Sequence, residues 1–225
     1  MLYAKWCKTV YEDTPSSRKW EYGQEISWFY DSTTDTEACL IKNKLDNTHA
    51  FVFRGSESLL DWRTNLNTKP YEFSSNVIVH RGFWNSWKSI RPEILKMAYE
   101  YNSLTICGHS LGGALAVLCA YDIALVYPEI ELTLITFGQP KVGNKEFAKK
   151  IDGLVPLYYR VVNQMDLVPF LPFFFQGNFS HAGKKLQLGN FWSGLFKTKI
   201  PQHAIDSYVK ILQRNTNNIK PFELY

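Results

Sequence analysis

The chain has 225 residues, enough for a sizeable apolar core, and we predict a single domain over residues 1–225. The formal net charge is only +4, and no stripe of Lys and Arg is interleaved with aromatic residues, so nucleic-acid binding is not expected. Apolar residues make up 45% of the chain, but no apolar run in it reaches the roughly 18 residues that a transmembrane helix needs.

The first predicted elements are strands joined by short turns. Residues 37–42 and 49–54 have strand character, and the turn 43–47 between them carries Asn and Asp. A third strand over 77–80 leads into a helix over about 83–101. These early strands are close in sequence, so we expect neighbours among them to pair antiparallel.

From residue 103 onward, predicted strands alternate with predicted helices. The strands cover 103–107, 132–137 and 158–163, and the helices cover about 111–127, 144–150 and a last segment that begins near Pro201. Such alternation predicts an α/β fold with a mostly parallel central sheet and helices on both faces. The early strands would form its antiparallel N-terminal edge.

Ser110 lies in the sequence Gly108-His-Ser-Leu-Gly-Gly113, between a predicted strand and a predicted helix. A serine on such a sharp turn is held in a strained backbone geometry, and the flanking glycines allow close backbone approach. The start of the helix offers unpaired N–H groups that stabilise negative charge. We interpret Ser110 as a nucleophile; the alternative is a glycine-rich turn that only joins two buried elements.

A serine nucleophile needs a histidine to take its proton and a carboxylate to orient that histidine. Two histidines follow the serine, and His203 at the last sheet-to-helix connection is favoured over His181 in a loop. Among the acids, Asp166 follows a strand directly and is favoured over Asp152 and Asp206. In a parallel sheet, residues at the carboxyl ends of strands share one edge, so the serine and Asp166 are expected in one cleft.

Two hydrogen-bond donors are expected for the oxyanion that forms in such a reaction. The backbone N–H of Leu111, directly after the nucleophile, is one of them. The second is expected from the loop after an early strand, where Ser56 offers both an N–H and a hydroxyl group.

Five motifs occur in order along the chain: Phe53-Arg-Gly-Ser56, Val79-His-Arg-Gly-Phe83, Gly108-His-Ser-Leu-Gly-Gly113, Phe137-Gly-Gln-Pro-Lys-Val-Gly-Asn144 and Asp166-Leu-Val-Pro169. Together they resemble the fungal-type (class 3) lipase family over about residues 37–210. The resemblance implies an α/β-hydrolase fold, no metal or cofactor, and action on carboxylic esters, often of lipids. It implies catalytic roles for Ser110, Asp166 and His203, and oxyanion roles for Ser56 and Leu111.

The family resemblance also implies a short helical lid after the oxyanion serine. Here residues 57–66 occupy that position, and Leu59, Trp62 and Leu66 fall within an arc of about 60° on a helix. We expect these three side chains to control substrate access. An amphipathic helix packed on the core would show the same pattern.

Aromatic residues are dense between the predicted acid and base, above all in residues 170–175. They either line an acyl groove and contact a lipid surface, or pack in the core under long loops. Burying a phenylalanine is worth about 1.5–3 kcal/mol, so exposed rings favour an apolar ligand. We therefore expect a lipid ester substrate and transient contact with a lipid interface.

The sequence thus predicts a serine ester hydrolase, specifically a lipase that cleaves acylglycerols through an acyl-enzyme. A feruloyl-type esterase or a phospholipase A would use the same scaffold, and a lipase-like module that binds without turnover is the alternative from another class.

Two features depart from the family pattern. Secreted members usually carry a signal peptide and disulfides, whereas the first eight residues here are interrupted by charges and the four cysteines lack any metal-site spacing. We therefore expect reduced thiols and a cytoplasmic location. Three residues after His203, where the family often has tyrosine, this chain has Asp206, and Tyr208 follows two residues later.

Overall fold

The computed structural model describes residues 1–11, 24–56, 70–163, 166–172, 178–189 and 203–216. The strands are β1 Gln24–Asp31, β2 Thr36–Asn43, β3 Thr48–Phe53, β4 Pro70–Ser74, β5 Val77–His80, β6 Ser103–His109, β7 Glu131–Phe137, β8 Gly143–Asn144, β9 Leu157–Asn163, β10 Phe179–Ser180 and β11 Lys184–Leu188. The helices are α1 Leu2–Thr9, α2 Arg81–Ala98, α3 Leu111–Val126, α4 Lys145–Leu154 and α5 Ile205–Thr216, with a 3₁₀ turn at Val168–Phe170.

The main sheet has seven strands in the order β1-β2-β3-β6-β7-β9-β11. The first three pair antiparallel, and every pairing from β3 to β11 is parallel. This arrangement confirms the predicted, mostly parallel sheet with an antiparallel N-terminal edge. The outermost strand of that edge, β1, was not predicted.

Both faces of the main sheet are buried, because successive side chains of its central strands are apolar and point to opposite sides. In β3, Phe51 and Phe53 join the core under α2, α3 and α4, while Ala50 and Val52 join the core under α1 and α5. Helices therefore cover both faces of the sheet, as predicted.

Helix α3 is the central helix of the molecule, and its residues from Gly112 to Ala124 are all buried. Its one buried carboxylate, Asp122, accepts hydrogen bonds from the indole Nε1 of Trp87 at 2.7 Å and from the guanidinium Nε of Arg91 at 2.5 Å. A buried carboxylate paired in this way avoids most of its desolvation cost. The helix that begins directly after Ser110 is thus a rigid support.

A second sheet has four strands in the order β10-β8-β5-β4. Two of its strands are only two residues long, which is too short for a hydrophobic period to reveal them. All four cysteines of the chain are buried free thiols. Among the residues described, no helix combines the length and apolar character needed to cross a bilayer.

His80 connects the second sheet to α2 as the residue before the first helical turn. Its Nδ1 atom accepts a hydrogen bond from the backbone N–H of Phe83 at 3.3 Å. The residue is fully buried, and burial lowers its pKa to about 4. A proton on Nδ1 would break this hydrogen bond and place a charge in the core, so the native fold requires the neutral ring.

Acidification is therefore expected to destabilise the fold through His80. An unfolded histidine titrates near pH 6.5. Between pH 6.5 and about 4 the unfolded chain therefore binds more protons than the folded chain, and the free energy of unfolding decreases as the pH is lowered. The variant His80→Asn keeps an acceptor at the helix start but does not titrate there. We expect it to remove up to about 3 kcal/mol of this loss, measured by urea unfolding between pH 7 and pH 4.

The control for this prediction is His49→Asn. His49 is only half-buried at the start of β3, and its replacement is expected to leave most of the pH dependence in place. An identical loss of stability in His80→Asn and in the unaltered protein would show that His80 does not carry the effect.

Candidate active site

The parallel strands of the main sheet end at nearly the same level. Their register pairs Phe53 of β3 with Gly108 of β6, and Phe137 of β7 with both His109 of β6 and Val161 of β9. The segments that leave these four strands therefore lie along one edge of the sheet. This edge is where ligands bind in open α/β sheets, and it carries the predicted nucleophile, acid and oxyanion residues.

Ser110 occupies the turn between β6 and α3 in a strained conformation, with φ 58° and ψ −125°. A positive φ is unusual for a residue with a side chain and persists only where the surroundings enforce it. Its backbone N–H donates to the carbonyl oxygen of Phe137 at 3.0 Å. Although Ser110 is the cap residue of α3, its side chain makes no capping hydrogen bond. Its hydroxyl is thus not tied to the helix backbone.

Two glycines of the motif are required by close backbone packing. A Cβ atom at Gly108 would overlap the carbonyl oxygen of Gly112, and a Cβ at Gly112 would overlap the carbonyl oxygen of Phe53. The first turn of α3 therefore lies directly against the end of β3. Glycine at these two positions is what allows the strand-turn-helix unit to close.

The two predicted oxyanion donors lie on these neighbouring segments. Leu111 is the first residue of α3, so its N–H is one of those with no acceptor inside the helix. Ser56 is half-buried and ends the described part of the loop after β3. This loop is fixed to β2 by Arg54, which hydrogen-bonds Glu37 through its side chain at 2.9 Å and its backbone at 3.0 Å. The assignment of both donors stays a prediction.

Asp166 and His203 form a buried pair at the same edge. The imidazole Nδ1 lies 2.9 Å and 2.8 Å from the two carboxylate oxygens, and the two residues are 1% and 7% exposed. The carboxylate also accepts hydrogen bonds from the backbone N–H of Val168 at 2.9 Å and from the hydroxyl of Tyr208 at 2.5 Å. These donors fix the carboxylate, which in turn orients the imidazole.

The turn after β7 requires a glycine at position 138. Its φ is +56°, and a Cβ atom there would lie 2.7 Å from Oδ2 of Asp166 and 3.0 Å from Nδ1 of His203. Any side chain would therefore separate the pair from the sheet edge. This contact gives Gly138, the first glycine of the motif that begins at Phe137, a definite role beside the site.

The second imidazole nitrogen of His203 is available for chemistry. Nε2 is buried and has no hydrogen-bond partner among the described residues. Because Nδ1 faces a carboxylate and carries the proton, Nε2 presents a lone pair. The ring lies 4.7 Å, centre to centre, from the ring of His109, the residue before Ser110. Nε2 makes no hydrogen bond to Ser110 in this structure. A free lone pair at this place suits a general base for the serine, because the hydrogen bond between a catalytic serine and its base often tightens only with substrate bound.

The structure places the alternative residues in other contacts. His181 bonds the carbonyl oxygen of Pro169 at 2.6 Å, and burial, assisted by the charge of Arg160, lowers its pKa to about 3. Asp152 accepts from the backbone N–H of Gly183 at 2.6 Å. Asp206 pairs with Lys8 at 2.6 Å on the surface. The structure therefore brings the favoured acid and base together and holds the alternatives elsewhere.

Within the described residues helix α5 begins at Ile205, two residues beyond His203, and Pro201, near which the last helix was predicted to begin, lies outside them. His203 thus sits in a turn before the helix. As a result Tyr208, in the second turn, reaches the carboxylate, whereas Asp206 faces α1. Burial and the nearby Asp166 raise the pKa of Tyr208 well above its usual value, so its hydroxyl stays a donor.

The predicted lid residues Leu59, Trp62 and Leu66 fall outside the residues that the structure describes. Across the described ranges, His, Cys, Asp and Glu side chains form no group of three or more that would hold a metal ion. The chemistry available at this edge is that of a serine, a histidine and a carboxylate.

Comparison with known proteins shows which family this chain is similar to. The family described as Lipase (class 3) matches residues 50–176. A lipase of Rhizomucor miehei is 36% identical over 165 residues, which cover 67% of this chain and 44% of that protein. A secreted mono- and diacylglycerol lipase A of Penicillium cyclopium is 34% identical over 167 residues, covering 69% of this chain and 53% of that protein.

A solved triacylglycerol lipase, in which a serine protease triad forms the catalytic centre, superposes with a TM-score of 0.70 at 32% identity. The superposition covers 83% of this chain and 76% of that lipase. The match confirms an α/β-hydrolase fold. The chain spans roughly half the length of the curated relatives it matches, or less.

Proposed function

The chain belongs to the class 3 lipase family, and from this premise we propose that it is a serine hydrolase that cleaves acylglycerol esters through an acyl-enzyme. The observation that carries the proposal is the buried Asp166–His203 pair, whose imidazole ring packs against His109, the residue before the strained Ser110, and whose Nε2 has no partner among the described residues. A serine, a histidine and an aspartate at one edge of the sheet are the groups that acyl transfer needs.

The proposed first step is attack of the Ser110 hydroxyl oxygen on the ester carbonyl carbon. As the new C–O bond forms, Nε2 of His203 takes the hydroxyl proton, and Asp166 stabilises the imidazolium through Nδ1. The carbonyl oxygen becomes an oxyanion, which the N–H of Leu111 and the N–H or hydroxyl of Ser56 would bind. Each such donor is worth about 3 kcal/mol of barrier.

The tetrahedral intermediate then collapses. The bond to the leaving alcohol breaks as Nε2 of His203 returns its proton to the alkoxide oxygen, and the acyl group stays on Ser110. Water attacks the acyl-enzyme with the same histidine as base, which releases the carboxylic acid and restores the serine. No step needs a metal or a redox cofactor.

The exposed apolar side chains that follow Asp166 in sequence favour an acylglycerol over a small polar ester as the substrate. Leu167 and Phe170 follow the acid in sequence and are 61% and 53% exposed, which is unfavourable for side chains of this size in water. We propose that they contact the acyl chains of a lipid interface. The similarity to proteins named as lipases and as a mono- and diacylglycerol lipase supports this substrate class.

The test is a substrate panel with the unaltered protein. Nitrophenyl esters from four to sixteen carbons, emulsified mono-, di- and triacylglycerols, a feruloyl ester and a phosphatidylcholine are compared by kcat/KM. We expect the acylglycerols to be cleaved, with long-chain nitrophenyl esters preferred over short ones.

A preference for the feruloyl ester or for the phospholipid would replace acylglycerol by that substrate class while keeping the serine chemistry. Failure to hydrolyse every ester in the panel would overturn the proposed function and favour a module that binds without turnover.

A further inference from the structure

The segment that follows the N-terminal helix is linked to the active site through Tyr11 and His109, two side chains that acyl transfer itself does not use. Tyr11 follows α1, and its hydroxyl lies 2.8 Å from Nδ1 of His109. The other ring nitrogen of His109, Nε2, lies 2.7 Å from the backbone carbonyl oxygen of His203. We propose that this Tyr11–His109 bridge is a positioning device that holds the backbone of the general base, an inference that rests on the proposed function.

Hydrogen-bond chemistry fixes the direction of both contacts. A carbonyl oxygen can only accept, so Nε2 of His109 must carry a proton. His109 is 4% exposed, and burial, followed by the nearby His203, lowers its pKa well below the usual value, so the ring is neutral and has a single proton. Nδ1 is therefore an acceptor, and the Tyr11 hydroxyl must donate to it. The tyrosine thus selects the histidine tautomer that binds His203.

The ring of His109 also packs against the rings of the residues that form and fix the catalytic pair. The ring of His109 lies 4.7 Å from that of His203 and 5.9 Å from that of Tyr208, the residue that fixes Asp166. His203 lies in a turn before α5, which begins two residues later at Ile205. A bond to this carbonyl restrains the residue whose ring must stay aligned with the serine.

The same tyrosine also touches the oxyanion side of the site. A Cβ atom at Gly55 would overlap the hydroxyl of Tyr11 and would lie 2.6 Å from the carbonyl oxygen of His109. Tyr11 therefore packs against the residue before Ser56 while it bonds His109. One side chain from the end of α1 is in contact with both halves of the site.

The first experiment measures turnover per active site. Tyr11→Phe removes one hydroxyl and keeps the ring, and His109→Phe keeps a ring of similar size but removes both nitrogens. We expect kcat to fall about fivefold in Tyr11→Phe and at least about tenfold in His109→Phe. In both variants KM should stay within about twofold of the value for the unaltered protein. His109→Gln keeps an N–H donor near the Nε2 position, so it should retain more activity than His109→Phe.

Titration of active sites with a fluorophosphonate separates positioning from folding. A merely structural role would lower the titrated fraction and the melting temperature but not kcat per titrated site. Tyr3→Phe is the matched control, because Tyr3 lies on α1 and contacts Thr105 in the middle of β6, at 3.5 Å. It is expected to leave kcat unchanged. Equal kcat per site in Tyr11→Phe and the unaltered protein, or in His109→Gln and His109→Phe, would overturn the proposal.

The second experiment needs no substrate. Nitrogen-15 NMR of the imidazoles reports which ring nitrogen carries the proton. We expect His109 to be protonated on Nε2 in the unaltered protein and to lose this preference in Tyr11→Phe. Protonation on Nδ1 in the unaltered protein would contradict the bridge even if no ester were hydrolysed. An inactive protein with the Nε2 tautomer would instead overturn the function and leave the bridge supported.

Discussion

Replacing Ser110 with alanine is expected to lower kcat/KM for ester hydrolysis by about four to six powers of ten. The reason is that Ser110 supplies the only atom that forms a covalent bond to the substrate in the proposed mechanism. Alanine keeps the Cβ atom and therefore the same backbone strain at φ 58°. The melting temperature should stay within a few degrees of the unaltered value, so the loss would reflect chemistry alone. The measurement is hydrolysis of the best ester from the substrate panel.

The matched control is Ser103→Ala, which changes an exposed serine at the opposite end of the same strand. It is expected to leave kcat/KM within about twofold, since surface changes away from a site have small effects. Undiminished hydrolysis by Ser110→Ala would assign the nucleophile to another residue.

The second large effect is expected from Asp166→Asn, with a fall in kcat of about 10⁴-fold. The carboxylate of Asp166 accepts from Nδ1 of His203 through both oxygens, at 2.9 Å and 2.8 Å. An asparagine would place an amide N–H₂ group against Nδ1, which forces the ring proton onto Nε2. The imidazole could then no longer take the proton of Ser110. The measurement is the single-turnover rate of acylation, with circular dichroism as the check on folding.

Asp152→Asn is the control for this change, because Asp152 was one of the two alternative acids and binds the backbone of Gly183 instead. We expect it to keep kcat within about threefold. If Asp152→Asn were the inactive variant and Asp166→Asn the active one, the assignment of the acid would be wrong.

Strands β6, β7 and β9 were predictable from sequence because they are short apolar runs with clear stops, whereas β11 is exposed except at Leu188 and lacks such a pattern. Strand β6 ends at the glycine-rich turn of Ser110, and α3 ends before Pro128, so strong local signals mark both boundaries. The acid was predictable for a related reason. Asp166 follows β9 by three residues, and the sheet register carries it to the same edge as Ser110.

The positioning residues were harder to predict, since their roles depend on contacts between distant parts of the chain. Tyr11 meets His109 across 98 positions, and Tyr208 meets Asp166 across 42. No spacing rule connects such pairs. His109 is adjacent to the nucleophile, so its position was visible in the motif, but only the structure shows what its ring bonds. Tyr208 was noticed only as a departure from the family pattern.

Labelling with a fluorophosphonate tests the central claim most directly, because this reagent reacts strongly with a serine that has been activated as a nucleophile and only weakly with an ordinary one. Intact mass and peptide mapping would give the number of labels and the residue that carries them. We predict a single label on Ser110, absent from Ser110→Ala and acquired far more slowly by Asp166→Asn. A native protein that stays unlabelled, or one that carries the label on another residue, would contradict the proposed hydrolase.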